Sequence, residues 1–349
     1  MTRTVVTLGI NSALQILKGS HDEGMQTLCV CLARHVDMYR RYPCIDRLEP
    51  VADYSELASL CATFNPDTHC IVPHSSFLSR LGSAGIMALP LPYFGSRAAA
   101  AWEERREQQR YWMAQARLNL PRVFQHIDEI DSPVVVKAGG GMRGDNFFAR
   151  NQREFERRLR DFRAQRYVIQ EYIIGVPIML HYFASPLSGQ IESLAADRRY
   201  ETNVDSLGRI PTENQAGLQI EPSFVRVGNL PVAIRESLLS EVYRMGEALV
   251  AVSRDLFPPR GLFGPFSLEA IITPSQQFYA LDLSTSIVGG TNLFINGSPY
   301  AALFYDEPMS MGRRCSREIR LAAEAGRLPE VFSLPPGVIE QAMVLASGG

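Results

Sequence analysis

Lysine is almost missing from this chain. Of 35 basic residues only Lys18 and Lys137 are lysine, which leaves 33 arginines. So sparse a supply of ammonium groups makes any lysine with a chemical task easy to locate. No stretch approaches the roughly 20 uninterrupted apolar residues of a spanning helix, and the opening MTRTVVTLGINSAL lacks the apolar core of a secretory leader. Net charge is small, −2 over 349 residues, and leaves no electrostatic footprint for nucleic acid or an anionic membrane. Six cysteines in so long a chain do not make a disulfide framework. Cys29-Val-Cys31 is read as a strand segment with one thiol on each face, which suits neither a bridge nor a zinc site. The expectation is small buried thiols in a reducing cytoplasm.

What remains is an ordinary globular composition, 46% hydrophobic and 21% charged. The length exceeds one typical core and predicts two or three lobes. Thr4–Leu8 and Met25–Leu32 read as strands around a helix from Ala13 to about Gly19, a βαβ opening with Ser12 placed to cap the helix and free N–H groups available to an anion. Asp53–Ala62 reads as a helix, and Cys70–Val72 as a strand leading into the polar loop Pro73–Phe77. A charged helix runs from Ala98 to about Arg117. Ile178–Ala184 and Gln190–Ala195 pair as a hairpin through Pro186–Gly189. Asp197–Asn203 is a dense polar run, while Gln215 and Asn229 fall in irregular, Pro- and Gly-punctuated sequence. Ile234–Leu256 carries a core-facing apolar stripe at helical spacing, and Arg313–Ala325 is a last helix.

The segment from Gly264 to Asn292 holds the most pointed pattern. Phe266–Ile272 and Phe278–Leu283 are β-branched and aromatic runs around a turn at Pro274–Gln277. A loop centred on Ser275 and Gln276 makes opposed residue numbers sum to 551, which sets Glu269 against Asp282. Alternation then puts both acids on one face with Ser267, Ser284 and Ser286, and Phe266, Leu268, Ala270 and Ile272 on the other. Cβ atoms of opposed residues lie roughly 4.5–5.5 Å apart, where two carboxylates repel unless a cation sits between them. A divalent ion bridging to phosphate oxygens fits, because Mg²⁺ commonly takes one or two carboxylates plus substrate phosphates. The alternative is two solvated acids, each finding an arginine, and a one-residue slip would separate them.

Lys137 ends the strand Val134–Lys137. Gly139, Gly140, Gly141 and Gly144 follow, then a second short strand at Phe147–Ala149. The glycines match a dinucleotide fingerprint by letter, but a strand stands where that fingerprint needs a helix. A hairpin loop able to fold over phosphates is the better reading. Asn151 opens a helix to about Ala164, with a capping pattern toward Glu154, and Tyr167–Tyr172 is the next strand. The order strand, glycine loop, strand, helix, strand makes a small α+β unit able to hold a base between two lobes.

Together these residues resemble the archaeal-type formate-dependent synthetase family of purine biosynthesis, an ATP-grasp ligase family. The similarity runs nearly the whole chain. It is carried by Gly9–Ile16, Pro73–Phe77, Trp102-Glu103, Asp197–Asn203, Gly208–Pro211, Gly228–Pro231, Arg235–Leu239, Gly264–Phe266 and Gly290–Tyr300. The resemblance implies an ATP-grasp fold, α/β plus α+β. Its parts would be an N-terminal Rossmann-like lobe at 1–97, a linker helix and small lid lobe at 98–175, and a C-terminal lobe at 176–349. The implied activity converts the ribotide AICAR to its formamido product FAICAR with formate and ATP, releasing ADP. A cytoplasmic homo-oligomer is implied, with small-molecule substrates and neither nucleic acid nor membrane as partner.

The resemblance also implies roles. Glu269 and Asp282 match the Mg²⁺ ligands, with Mn²⁺ possible. Lys137, Gly139, Gly140, Gly141, Arg143, Gln170, Glu171, Tyr172 and Glu201 match the parts that hold ATP. Ser76 and Asn229 match ribotide contacts, Asn11 falls where a third is expected, and Ser12, Arg198, Gln215 and Asn292 complete the expected substrate set. No protein nucleophile is required: phosphorylating formate gives formyl phosphate, an acylating agent that a weak aromatic amine can attack. The chain departs from the family where a histidine usually stands at Asn11. It departs again in the usually basic glycine loop, which here has Met142 and Asp145 with Arg143 its only cation. A third departure is Ser284-Thr285-Ser286, where the family usually has Ser-x-Arg. Two of these remove positive charge and Asp145 adds a negative one. They keep open a divergent carboxylate–amine ligase and a non-catalytic nucleotide or ribotide binder.

Overall fold

The computed structural model describes residues 3–138, 146–162, 167–201, 207–215 and 226–334. The first sheet begins as expected with β1 (Thr4–Leu8) and β2 (Gln26–Leu32) around the helix Ala13–Asp22, and adds β3 (Arg47–Val51), β4 (His69–Ile71) and β5 (Tyr93–Phe94) in parallel. Residues two apart on a strand share a face. Cys29 and Cys31 therefore lie together, against Ala13, Leu17 and Tyr39, and not on opposite faces. The segment predicted as one helix from Asp53 is a 3₁₀ turn, Tyr54–Glu56, followed by Leu57–Cys61.

The charged helix is also two, Arg97–Glu104 and Arg106–Gln115, separated by extended backbone at Arg105. Its halves serve different neighbours. In the second half Gln109 donates to the Leu283 carbonyl at 2.7 Å, and Trp112 donates to the Leu249 carbonyl at 2.9 Å.

The small lobe is an antiparallel sheet of β6 (Val123–Phe124), β7 (Val134–Ala138), β8 (Asn146–Ala149) and β9 (Tyr167–Glu171), in the order β6-β9-β7-β8. Lys137 pairs with Asn146, so the glycine segment joins a hairpin as expected. The helix Gln152–Leu159 covers one face, with Asn151 accepting from the Glu154 N–H at 3.0 Å.

The large lobe is a five-stranded antiparallel sheet of β10 (Val176–Ala184), β11 (Ile191–Glu201), β12 (Arg226–Pro231), β13 (Gly264–Ile272) and β14 (Phe278–Ser284), in the order β12-β11-β10-β13-β14. Ile178, Leu180, Tyr182, Phe266, Leu268 and Ala270 point to the core face, where the helix Glu236–Leu256 buries Val242, Met245 and Leu249. Tyr182 donates to the Val242 carbonyl at 2.9 Å. The opposite face carries the polar side chains.

The polar run after Ala196 extends the strand: β11 continues through Asp197–Glu201, and Asn229, expected in irregular sequence, lies in β12 beside it. The helix Met311–Glu324 returns to pack on Ala13–Asp22, and β15 (Phe332–Ser333) joins β5 at the edge of the first sheet. The two helices meet backbone to backbone. A methyl at Gly312 would stand 2.5 Å from the Gln15 carbonyl oxygen, and one at Gly19 would stand 2.5 Å from Arg313 Cα. Ser20 and Ser316 share a hydrogen bond of 2.8 Å at the crossing.

Candidate active site

Glu269 and Asp282 are directly opposed, and a bulge decides it. Register sums are 551 from Ser267 to Glu269, then fall to 550 from Ala270 to Ile272, leaving Leu281 unpaired. Were the register of Ala270–Ile272 to run on without the bulge, Glu269 would oppose Leu281, and Asp282 would turn toward the core. Asp282 is exposed, whereas Glu269 is 17% exposed and forked by Arg199. Arg199 Nη2 lies 2.5 Å from Glu269 Oε2, and Nη1 bonds the other oxygen. Arg198, the adjacent residue, is exposed and lines a cleft with Met179, Arg199 and Glu269.

Lys137 of the small lobe lies within electrostatic reach of this pair. Burial lowers the Lys137 pKa, Arg106 and Arg110 lower it further, and the charges of Glu269 and Asp282 raise it. Pairing across β7 and β9 puts Val168 and Gln170 on the Lys137 face; Val168 is exposed apolar surface and Gln170 is buried. Glu171 accepts from the Arg122 N–H at 3.0 Å. Tyr172 lies on the exposed rim, edge-on to Phe148. Gly139, Gly140, Gly141, Met142, Arg143 and Asp145 lie outside the described residues, and Glu201 ends β11.

Glu103 is the acid that sequence reasoning gave no role. It accepts from both the N–H and the hydroxyl of Thr285 at 2.7 Å. Burial, reinforced by Asp282, pushes its pKa up to about 7 against the lowering by those hydrogen bonds.

The N-terminal loops meet the segment after β14. Asn11 takes the left-handed φ of +54° that asparagine tolerates, donates to Ser75 Oγ at 2.8 Å, and accepts from Asn292 through its carbonyl at 3.2 Å. Gln15 donates to Asn292 at 3.0 Å and also to Thr291. The Ser75 N–H bonds the Ile287 carbonyl at 2.8 Å, one residue after the buried Ser286. Ser76 is buried, its N–H given to His74 Nδ1 at 3.3 Å, while His74 Nε2 meets the Leu8 carbonyl at 2.9 Å. Burial holds the His74 pKa down at about 4, a neutral ring. Ser12 does not cap its helix. Its buried Oγ has no partner among the described residues.

A second missed group crosses the large sheet. Ser267 Oγ lies 2.8 Å from His181 Nδ1, and His181 Nε2 lies 2.6 Å from Asp197 Oδ1. Asn229 Nδ2 donates to Asp197 Oδ2 at 2.5 Å. Asp197 and Arg199 share a face by alternation, a signal available once the polar run is taken as strand. Gln215 stands apart, in the short helix Thr212–Gln215, donating to the carbonyls of Leu207 at 3.2 Å and Ile210 at 2.7 Å.

Among the described residues no group of three or more His, Cys, Asp or Glu side chains could hold a metal ion. Two opposed carboxylates with one exposed fit a hard cation that arrives with its phosphates, not a cage built wholly of protein.

Two family models match, one described as a protein of unknown function over residues 5–124 and one as a domain of unknown function over residues 150–333. A 5-formaminoimidazole-4-carboxamide-1-(beta)-D-ribofuranosyl 5'-monophosphate synthetase of Pyrococcus horikoshii is 42% identical, covering 94% of this chain and 99% of that protein. The chain belongs to this synthetase family.

A crystal structure of the IMP biosynthesis protein PurP from Thermococcus kodakaraensis agrees with a TM-score of 0.75 at 29% identity, over 94% of this chain and 100% of that one. The fold is ATP-grasp. An N5-carboxyaminoimidazole synthetase from Staphylococcus aureus, complexed with ADP, shares it with a TM-score of 0.59 at 11% identity, over 83% and 73% of the two chains. In the synthetase family, then, the convergence of Lys137, Glu103, Glu269 and Asp282 lies between the small and large lobes of an ATP-grasp ligase. No helix among the described residues is long and apolar enough to cross a membrane.

Proposed function

We propose that the chain forms FAICAR from AICAR, formate and ATP. Formate oxygen takes the γ-phosphoryl group and ADP leaves; the ribotide amine attacks the formyl carbon, phosphate leaves and the amine gives up a proton. The reading rests chiefly on one observation: Glu269 and Asp282 share a face, within the electrostatic reach of Lys137 from the other lobe. Glu269 and Asp282 would hold Mg²⁺, or Mn²⁺ in its place, and that ion supplies positive charge against the phosphoryl oxygens. Lys137 adds an ammonium beside the phosphates, and Gly139, Gly140, Gly141 and Arg143 would also contact the nucleotide. Gln170, Glu171, Tyr172 and Glu201 hold the nucleoside. Asn11, Ser12, Ser76, Asn229 and Asn292 surround the ribotide, with Arg198 and Gln215 at its margin.

Arg199 occupies Glu269 in this structure, so a metal held by that carboxylate would take the place of the guanidinium. The guanidinium would then be free to serve as a cation toward the phosphates, a charge that Ser286 does not supply. ADP release tests the reading: it is expected only when formate and AICAR are both present. Release that demands another acid or amine would replace this substrate assignment.

A further inference from the structure

Ser267, His181 and Asp197 have the residue types of a hydrolytic triad but none of its access. They are 1%, 0% and 0% exposed, sit on three adjacent strands of the large sheet, and are bonded in a row. The row ends on Asn229, which is half-buried. The Gly290 backbone closes over the carboxylate; a methyl there would lie 2.7 Å from Asp197 Oδ2 and nearer still to Oδ1. The loop thus held down carries Thr291 and Asn292, which bond Gln15 and Asn11.

An ionised carboxylate only accepts hydrogen bonds. Asp197 therefore takes a proton-bearing nitrogen from each side, Nε2–H of His181 and Nδ2–H of Asn229, and Ser267 Oγ–H completes the row by donating to Nδ1. The Asn229 amide cannot turn over without setting its carbonyl oxygen against the carboxylate. Its Oδ1 has no partner among the described residues.

We infer that Asp197, backed by His181 and Ser267, is a positioning residue that locks Asn229 with its oxygen outward, so that the site accepts a hydrogen bond from an N–H group on the ribotide base. This rests on the reading of function above and adds the direction of the contact. The base offers two such groups, an amine and a carboxamide. A site with a fixed acceptor favours them over an analogue bearing an oxygen anion in the same place.

The test exchanges the two side chains in the full-length protein and measures AICAR and ATP affinity separately by calorimetry. Asn229→Asp alone sets two carboxylates together, and AICAR affinity is expected to fall about 100-fold with ATP affinity unchanged. Adding Asp197→Asn gives the new carboxylate at 229 an amide donor and leaves its other oxygen outward. The double variant is expected to recover AICAR binding to within about tenfold of wild type and to recover its melting temperature. If Asn229 touched substrate through its N–H instead, the double variant would fold and stay weak, which overturns the inference. A double variant that does not fold also overturns it, because the exchange keeps every hydrogen bond of the row. Repeating the titration with the carboxylate analogue and the des-amino analogue of AICAR shows which N–H is taken; equal binding of all three counts against the acceptor. Failure of the wild type to bind AICAR at all removes the functional reading itself, and this inference with it.

Discussion

Glu269 faces Asp282 because β14 carries one residue, Leu281, that β13 does not match. The acid pair is thus a product of a bulge. Asp282→Asn, at an exposed position, is expected to leave melting unchanged and to lower the rate of ADP release by roughly 10²–10³, the scale on which one charge-stabilising group acts. Deleting Leu281 removes the bulge but leaves Asp282 next to Ala280 and still opposite Glu269, so it should cost far less activity than Asp282→Asn. A deletion variant as inactive as Asp282→Asn would show that opposition of the two carboxylates does not carry the activity.

Lys137 pits stability against use. Burial and its arginine neighbours lower its pKa, so the folded protein disfavours the ammonium relative to the unfolded chain. Lys137→Met is expected to raise the melting temperature at pH 7 while reducing kcat/KM for ATP by about 10²-fold or more. A variant that loses stability along with activity would contradict this.

Glu103 sets a pH dependence of opposite sense to the usual carboxylate. Its folded pKa of about 7 is raised above the ordinary value of 4.5. Its contribution to stability is therefore full below pH 4.5 and is lost as pH rises through 7. In metal- and nucleotide-free protein, Glu103→Gln should melt near wild type at pH 5 and progressively above it by pH 8. A difference in melting that does not vary with pH would refute the shift.

Gly19 and Gly312 let two helices touch without side chains between them. Either Gly→Ala change forces the backbones apart, and overpacking of this kind costs typically 1–3 kcal/mol. Chemical denaturation should register that loss for each, and the double variant should lose less than the sum, since separating the helices once relieves both clashes.

The interior of each sheet was legible in the sequence because strands with neighbours on both sides carry unbroken apolar or alternating runs. Edges were not. Arg47–Val51, with Pro50 in it, and Arg226–Pro231, with Gly228 and Pro231, both form outer strands, where proline and charge are tolerated. Missing β12 made Asn229 look like a loop residue. Missing the continuation of β11 hid Asp197 and Arg199 as partners on one face. The acids, by contrast, were found from the spacing of one hairpin, although the turn lies one residue off the assumed register and the bulge restores it. Glu103 showed no signal, since burial of an acid on a charged helix depends on the break at Arg105 and the approach of Thr285. His181 gave no signal within its apolar strand because its partner Asp197 lies 16 residues on.

The return of Phe332–Ser333 to the edge of the first sheet has a consequence for biosynthesis. The lobe whose strands emerge from the ribosome first cannot acquire its outer strand, or the helix that locks against Gly19, until more than three hundred residues have been translated. A stalled or prematurely terminated product would present an unfinished parallel sheet to its surroundings for that whole interval.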